Sequence, residues 1–455
     1  MTNIDNGTLR IAMLSVHTCP LATLGGKETG GMNVYVRDLS RELARQGHRV
    51  DVYTRSQNPD LPRISNGLGS GARVIHVPTG PERPYDKHRV YDHLPEFIEG
   101  VRNQAAADGI DYDVLHSHYW LSGAAARRLL EAWSVPVVHM AHTLGAMKNV
   151  VAEKRPEERE TERRVEVERE IAAFADALIA STPAEEAQLM ELYGAEGGRI
   201  HIIPPGVDTE RFHPIPADHA KHHVAVCTDR SMILFVGRIE PLKGIDTLLQ
   251  AIARVAERRP GMRRGLCVPI IGGRADEIHE HEEMARLADL RKDLGIEDVV
   301  TFLGSKNQDT LQYYYSAAEM VVMPSDYESF GMVALEAMAC GTPVVASDVG
   351  GLAFLIKDGR TGYRVPAGDV EALAERIMHL LTDELSRRWI GQRATCWAES
   401  YAWKEIAERI VGVYEAVGAE RGQGREGYPV DLDPRKTPCA HGCPGQSVAP
   451  GGGPR

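Results

Sequence analysis

Short apolar runs alternate with longer amphipathic stretches along most of the chain. Residues 9–15 (LRIAMLS) form the first run, a glycine-rich loop follows, and residues 32–46 carry helical periodicity that Gly47 ends. Further strands are expected at 49–53, 73–77, 113–116, 136–139, 177–180 and 200–203, with amphipathic helices between most of them. Such alternation predicts an α/β fold, a parallel sheet covered by helices on both faces. The pattern breaks at Pro204-Pro205-Gly206 and over the His-rich polar residues 215–229. It restarts with strands expected at 232–236, 267–271, 299–303, 320–323 and 343–346. The reading is one lobe over 1–205, a linker over 206–230 and a second lobe over 231–400. Open α/β sheets bind ligands beyond the carboxyl ends of their strands. Two such lobes therefore predict a cleft lined by strand-to-helix loops.

Composition narrows the classes. The 455 residues are 43% hydrophobic and 25% charged, as in soluble globular proteins, which excludes a collagen-like or wholly disordered chain. Lys and Arg number 52 against 64 Asp and Glu, a net −12 that argues against general nucleic-acid or anionic-membrane binding. One basic cleft remains compatible with that total. The segment MTNIDNGTLRIAML lacks the basic-then-apolar pattern of a signal peptide. No apolar run approaches the roughly 20 residues that span a bilayer. Seven cysteines, scattered from Cys19 to Cys443, do not form a disulfide framework. A cytoplasmic location is expected. The Gly/Pro-rich residues 419–455 predict a disordered tail, and its Cys439, His441 and Cys443 make half a zinc site at most.

Five groups of residues carry candidate chemistry. The first runs from His17 to Asn33 and ends in Gly30-Gly31 where a helix begins. Such a helix start admits a phosphate or sugar, or is a plain glycine-rich turn. It is neither G-x-G-x-x-G nor a P-loop. His116, His118 and Tyr119 follow one expected strand, and His142 and Thr143 follow another. The Arg/Glu-rich residues 153–170 read as a solvated helix with i,i+4 pairs, from which one Arg could point into the cleft and hold a phosphate. Arg238 and Lys243, after the strand MILFV, bring two cations to a loop near a helix start. They suit a diphosphate leaving group, or they cap a helix at the surface. Glu328 and Glu336 stand eight residues apart with glycine and apolar residues between, a spacing that suggests hydroxyls gripped at two points rather than paired acid/base catalysis.

The segments GGMNVY, HSHYWLSG, AHTLGAMKN, GRIEPLKG and ESFGMVALEAMACGTPVVAS resemble those of retaining family 4 glycosyltransferases, with the GT-B fold of two Rossmann-like domains facing across a cleft. The resemblance covers residues 10 to about 414 and implies that 401–418 is a crossover helix returning to the first lobe. Its nearest branch moves N-acetylglucosamine from UDP-GlcNAc to 1D-myo-inositol 3-phosphate in mycothiol synthesis. The resemblance implies that His17, Glu28, Thr29, Gly30, Gly31, Met32, Asn33, Lys87, Tyr119, Thr143 and Arg164 hold the acceptor. It implies that Thr23, Leu24, Gly31, Arg238, Lys243, Lys306, Glu328, Phe330, Gly331 and Glu336 bind the nucleotide-sugar donor. His142, Arg238, Lys243 and Glu328 would act at the reaction centre. No cofactor is required for the chemistry, and a structural Mg²⁺ would map to Tyr315, Ser316, Ala318 and Thr342. A homodimer is implied as well.

Two departures bear on substrate. Lys306 stands where the inositol branch has Arg, which keeps the charge but loses the bidentate fork. HTLGAMK and its Arg/Glu-rich helix also resemble sucrose-phosphate synthases, which transfer glucose from UDP-glucose to fructose 6-phosphate, whereas GGMNVY sides with the inositol branch. A phosphorylated polyol or sugar acceptor satisfies both. An inactive nucleotide-sugar binder is disfavoured because each motif position carries a competent residue. An NAD-dependent oxidoreductase is disfavoured by the missing fingerprint.

Overall fold

The computed structural model describes residues 7–22, 30–152, 159–273 and 282–423. The first lobe holds a sheet of order β3-β4-β2-β1-β5-β6-β7-β8. Its strands are β1 Arg10–Leu14, β2 Arg49–Arg55, β3 Ile64–Ser65, β4 Ala72–Val77, β5 Val114–His118, β6 Val137–Met140, β7 Ala177–Ala180 and β8 Ile200–Ile202. β1 is central, with Ile11 in register with Val50 on one side and Val114 on the other. Its residues from Ile11 to Leu14 are buried, as a strand covered on both faces requires. Apolar clusters lie on the two faces of the sheet, one around Tyr35, Leu39 and Val52 and one around Leu14, Phe97 and Trp120.

The second lobe repeats the plan in a six-stranded parallel sheet, β11-β10-β9-β12-β13-β14. Its strands are β9 Ser231–Val236, β10 Leu266–Ile271, β11 Val300–Gly304, β12 Met320–Met323, β13 Val344–Ser347 and β14 Gly362–Val365. The two-lobe α/β expectation therefore stands. Sequence periodicity missed β3, a two-residue antiparallel edge strand, and β14, where Gly-Tyr-Arg-Val has too little apolar length to register.

The linker is more structured than its polar composition predicted. It contains the helix Ala217–Val224, and Cys227 is disulfide-bonded to Cys267 at the start of β10, with Cα atoms 5.7 Å apart. That single pair is not expected from the sequence, which indicates only that the cysteines form no disulfide framework; the separation lies in the usual bonding range. The helix Trp403–Gln423 returns to the first lobe, where Ile406, Ile410 and Val413 pack with Leu39 and Leu43 of the helix Gly31–Arg45. It runs past 418, into residues the composition assigned to a tail. The rest of that tail, with Cys439, His441 and Cys443, lies outside the described residues. None of the described helices is long and apolar enough to cross a membrane.

Candidate active site

The carboxyl ends of the two sheets face each other across a cavity of about 300 Å³. His17, Lys87, Tyr119, His142 and Thr143 line it from the first lobe, and Arg238, Lys243, Glu328 and Phe330 from the second. The two lobes meet at their helix starts. A Cβ at Gly31 would lie 3.3 Å from Met332 Sδ, and one at Gly30 would lie 4.0 Å from Arg238 Nε. The backbone N–H groups opening the helices Gly31–Arg45 and Met332–Ala339 therefore border one space, which suits anionic ligand groups.

On the second-lobe side each cation has a carboxylate partner. Arg238 Nη1 lies 2.8 Å from Glu240 Oε1, and Lys243 Nζ donates to Glu328 Oε2 at 2.6 Å. The loop bearing Glu328 is held by the glycine pair that follows β13. Gly351 N–H donates to the Glu328 carbonyl at 2.9 Å, and a Cβ on Gly351 would stand 2.2 Å from Phe330 Cα. Gly331, at φ +101°, makes the left-handed turn into the next helix. Glu336 is buried behind this wall, accepting from Tyr315 OH at 2.7 Å and Gln308 Nε2 at 3.2 Å. Burial pushes its carboxyl up to about 7. Arg37 of the first lobe also donates to Gln308 Oε1, so the hydrogen-bond chain to Glu336 crosses between lobes.

On the first-lobe side Arg164, 0% exposed, is the centre of a cationic cradle. Its Nε donates to Glu168 at 2.7 Å, Nη1 to Tyr119 OH at 3.0 Å, and Nη2 to the Thr143 carbonyl and hydroxyl at 2.8 and 3.0 Å. Nη1 also lies 2.8 Å from Glu160 Oε1, which Lys148 Nζ and Lys87 Nζ approach at 3.2 and 3.6 Å. Burial opposes the charge on Glu160, yet Arg164, Lys87 and Lys148 hold its carboxyl down to about 2. The i,i+4 pairs expected on a solvated face are thus buried ones.

Burial keeps the site histidines His17 and His142 neutral. Burial, reinforced by Lys87 and Arg164, holds His17 down to about 3, and burial with His139 does the same for His142. His17 Nδ1 is buried without a partner, and its ring lies 4.4 Å from that of Tyr119. His142 Nε2 and His118 Nδ1 are 3.0 Å apart. Tyr119 and His142 both adopt positive φ, 73° and 60°, rare for such side chains and typical of functional sites.

Most expected site residues meet here. Of the acceptor group, His17, Gly30, Gly31, Met32, Asn33, Lys87, Tyr119 and Thr143 border the cavity, with Arg164 directly behind Tyr119 and Thr143. Asn33 borders it in a tying role: its side chain accepts from Gly30 N–H and donates to Thr18 Oγ1 and the Cys19 carbonyl. Of the donor group, Gly31, Arg238, Lys243, Glu328, Phe330 and Gly331 border it, whereas Glu336 and Lys306 are not among its lining residues. Thr23, Leu24, Glu28 and Thr29 lie outside the described residues. His116, singled out with its neighbours, is fully buried with Nδ1 2.7 Å from Tyr414 OH, a packing contact away from the cavity. Lys148 and Glu160 were missed, because one Lys in AHTLGAMKN and one Glu among many carry no pattern of their own.

The suggested Mg²⁺ residues offer neutral oxygens that are already engaged. The Tyr315 carbonyl accepts from Thr342 Oγ1 at 2.7 Å and from Ala318 N–H at 3.1 Å, and Ser316 Oγ accepts from Ile215 N–H at 3.3 Å. Without a carboxylate this set does not fit Mg²⁺, and no step below passes through a metal.

Comparison with known proteins decides the family. The family described as Glycosyltransferase Family 4 matches residues 29–211, and Glycosyl transferases group 1 matches residues 219–397. A D-inositol 3-phosphate glycosyltransferase of Acidothermus cellulolyticus is 41% identical over 413 residues, covering 90% of this chain and 91% of that protein. The chain belongs to the family 4 glycosyltransferases. The same named enzyme from Saccharomonospora viridis is 40% identical, covering 92% of this glycosyltransferase and 96% of its relative. Among solved structures, a sucrose-phosphate synthase from Thermosynechococcus elongatus superposes with a TM-score of 0.82 at 34% identity, covering 90% of this chain and 99% of that one. The GT-B double-lobe fold and a hexosyltransferase activity follow from this membership.

Proposed function

We propose that this glycosyltransferase moves N-acetylglucosamine from UDP-GlcNAc to 1D-myo-inositol 3-phosphate with retention of configuration. The observation that carries the reading is the pairing of two cationic centres across one cavity. Arg238 and Lys243 suit a diphosphate, and the Lys87–Lys148–Arg164 cradle suits an acceptor's phosphate. The relatives of about 40% identity bear the inositol phosphate name, which supports this acceptor.

In the proposed step an acceptor hydroxyl oxygen bonds to C1 of the sugar on the face that the diphosphate leaves. The bond from C1 to the diphosphate oxygen breaks, and a β-phosphate oxygen takes the hydroxyl proton. No protein nucleophile is required. Arg238 and Lys243 stabilise the charge that grows on the leaving group, so their contribution is greatest in the transition state. Neutral His142 hydrogen-bonds the donor sugar, Glu328 orients its hydroxyls while its carboxylate steers Lys243, and Glu336 braces the wall behind them through Tyr315 and Gln308. Closure of the lobes excludes water as a competing acceptor. Cytoplasmic location and a homodimer belong to the same proposal, and light scattering tests the latter.

A second reading has a specific observation behind it. The sucrose-phosphate synthase superposition favours glucose transfer from UDP-glucose to fructose 6-phosphate on the same site. Measured UDP release separates the two. Release from UDP-GlcNAc driven by inositol 3-phosphate supports the first, and release only from UDP-glucose with fructose 6-phosphate replaces it with the second.

A further inference from the structure

We propose that Glu160 is a built-in stand-in for the acceptor's phosphate, and that a phosphorylated acceptor enters the cradle by displacing this carboxylate from Arg164, Lys148 and Lys87. The inference rests on reading the cradle as the acceptor's phosphate site, and it adds the residue that sets how strongly an anion must bind to enter.

In Arg164 the Nε–H donates to Glu168, Nη2 to the Thr143 carbonyl and hydroxyl, and Nη1 to Tyr119 OH, while Glu160 Oε1 is ion-paired with Nη1 at 2.8 Å. Glu160 Oε1 thus holds the place beside Nη1, and a phosphate oxygen takes it only if that carboxylate leaves. Glu168 is fixed by further bonds from Gly145 N–H at 2.9 Å and Tyr193 OH at 2.5 Å, and the Thr143 carbonyl is backbone. Glu160 is the acidic partner whose side chain can move alone. Its backbone is held separately, N–H to Asn149 Oδ1 at 2.7 Å and carbonyl to Asn149 Nδ2 at 3.3 Å. A rotation about its side-chain bonds frees the cations without disturbing the loop.

Charge favours the same exchange. Among the described residues Lys87, Lys148 and Arg164 supply three positive charges, and Glu160 and Glu168 two negative ones. A phosphomonoester brings about two more negative charges near neutral pH. Of these groups, the filled cradle carries net negative charge with Glu160 in place and is neutral with Glu160 swung out. Like charges brought together in such a setting repel, which favours the exchange. Position points the same way: Oε1 of Glu160 is the point on which all three cations converge, and its Oε2 is buried with no hydrogen-bond partner among the described residues, 3.7 Å from His88 Nε2. One oxygen fills the cradle and the other is left unsatisfied, a state that a ligand can improve upon. The empty cradle thereby keeps its cations paired, and a neutral polyol, which cannot replace the carboxylate, is rejected.

The test is calorimetric titration of the full-length protein with inorganic phosphate, comparing wild type with Glu160→Gln and Glu160→Ala. Both variants are expected to bind phosphate at least about tenfold more tightly than wild type. Equal or weaker binding by a folded variant, with UDP affinity retained, overturns the proposal, because Glu160 would then be a scaffold for the cations. Should neither variant fold, a crystal structure of the wild type with inorganic phosphate decides. Phosphate on Arg164 with the Glu160 carboxylate moved away supports displacement. Phosphate alongside an unmoved Glu160, or no phosphate in the cradle, overturns it. Failure of the wider reading registers separately, as no UDP release with any phosphorylated acceptor even though the variants gain phosphate affinity.

Discussion

Lowering the pH from 7.0 to 5.5 should destabilise the protein by about 2 kcal/mol or more, and the buried histidines supply the magnitude. Five lie within or beside the carboxyl ends of β1, β5 and β6: His17, His116, His118, His139 and His142. Burial is the largest cause holding each below its ordinary value, His17, His139 and His142 to about 3 and the other two well below 6.5. The folded state thus keeps them neutral while the unfolded chain takes up protons below about pH 6.5. A depressed histidine contributes full stability above its unfolded pKa and loses it as pH falls. Between pH 7.0 and 5.5 His17, His139 and His142 each forfeit about 1.2 kcal/mol, together about 4 kcal/mol, and His116 and His118 act in the same direction. Glu336 works in the opposite sense, since its raised value of about 7 makes the folded state bind a proton the unfolded chain does not hold until lower pH. It returns about 1.6 kcal/mol over the same interval, so the net loss is about 2 kcal/mol or more. Guanidinium unfolding followed by tryptophan fluorescence at the two pH values measures this. A midpoint that stays put would refute the claim that these imidazoles are neutral in the folded state.

The other expectations are more local. Lys243→Ala should lower kcat by about two orders of magnitude, with UDP release as the readout, because it removes charge stabilisation from the leaving diphosphate. Arg164→Lys retains charge but cannot serve Glu168, Tyr119 and Thr143 together. It should cost about 2 kcal/mol or more in a denaturant titration and raise KM for the phosphorylated acceptor while leaving that for the donor. Gly351→Val drives a side chain into Phe330 Cα, 2.2 Å from where its Cβ would sit, and should abolish UDP binding measured by calorimetry. Treatment with EDTA should leave turnover unchanged; a rate restored only by added Mg²⁺ would contradict the metal-free step.

The sheets and the loops that carry the site were legible because long apolar strands and glycine-bounded turns have local signatures. Arg238, Lys243 and Glu328 were readable from their place after MILFV and EMVVMP, each at the end of a central strand. What escaped depends on distant partners. Lys148 gains meaning only beside Lys87 and Glu160, and Asn33 gains its ties only because Thr18 and Cys19 fold against it. The pairing of Cys227 with Cys267 needs the linker helix to pack beside the helix Gln308–Ala317, which no spacing rule reveals.

The helix Trp403–Gln423 has a consequence for how the protein is made. It fills one face of the first lobe, and Tyr414 reaches His116 across 298 positions of sequence. A ribosome that has finished β8 has delivered every strand of that lobe but not its last covering helix. Synthesis from residue 205 to 417 takes about 10 to 40 s at roughly 5–20 residues per second. Throughout that interval Leu39, Leu43 and Val36 lack their final partners, while the second lobe, whose two apolar layers come from residues 207–401, can complete itself first. The half that is translated first is therefore the half that finishes last, and a nascent chain stalled near residue 400 should expose an apolar stripe for chaperones to bind.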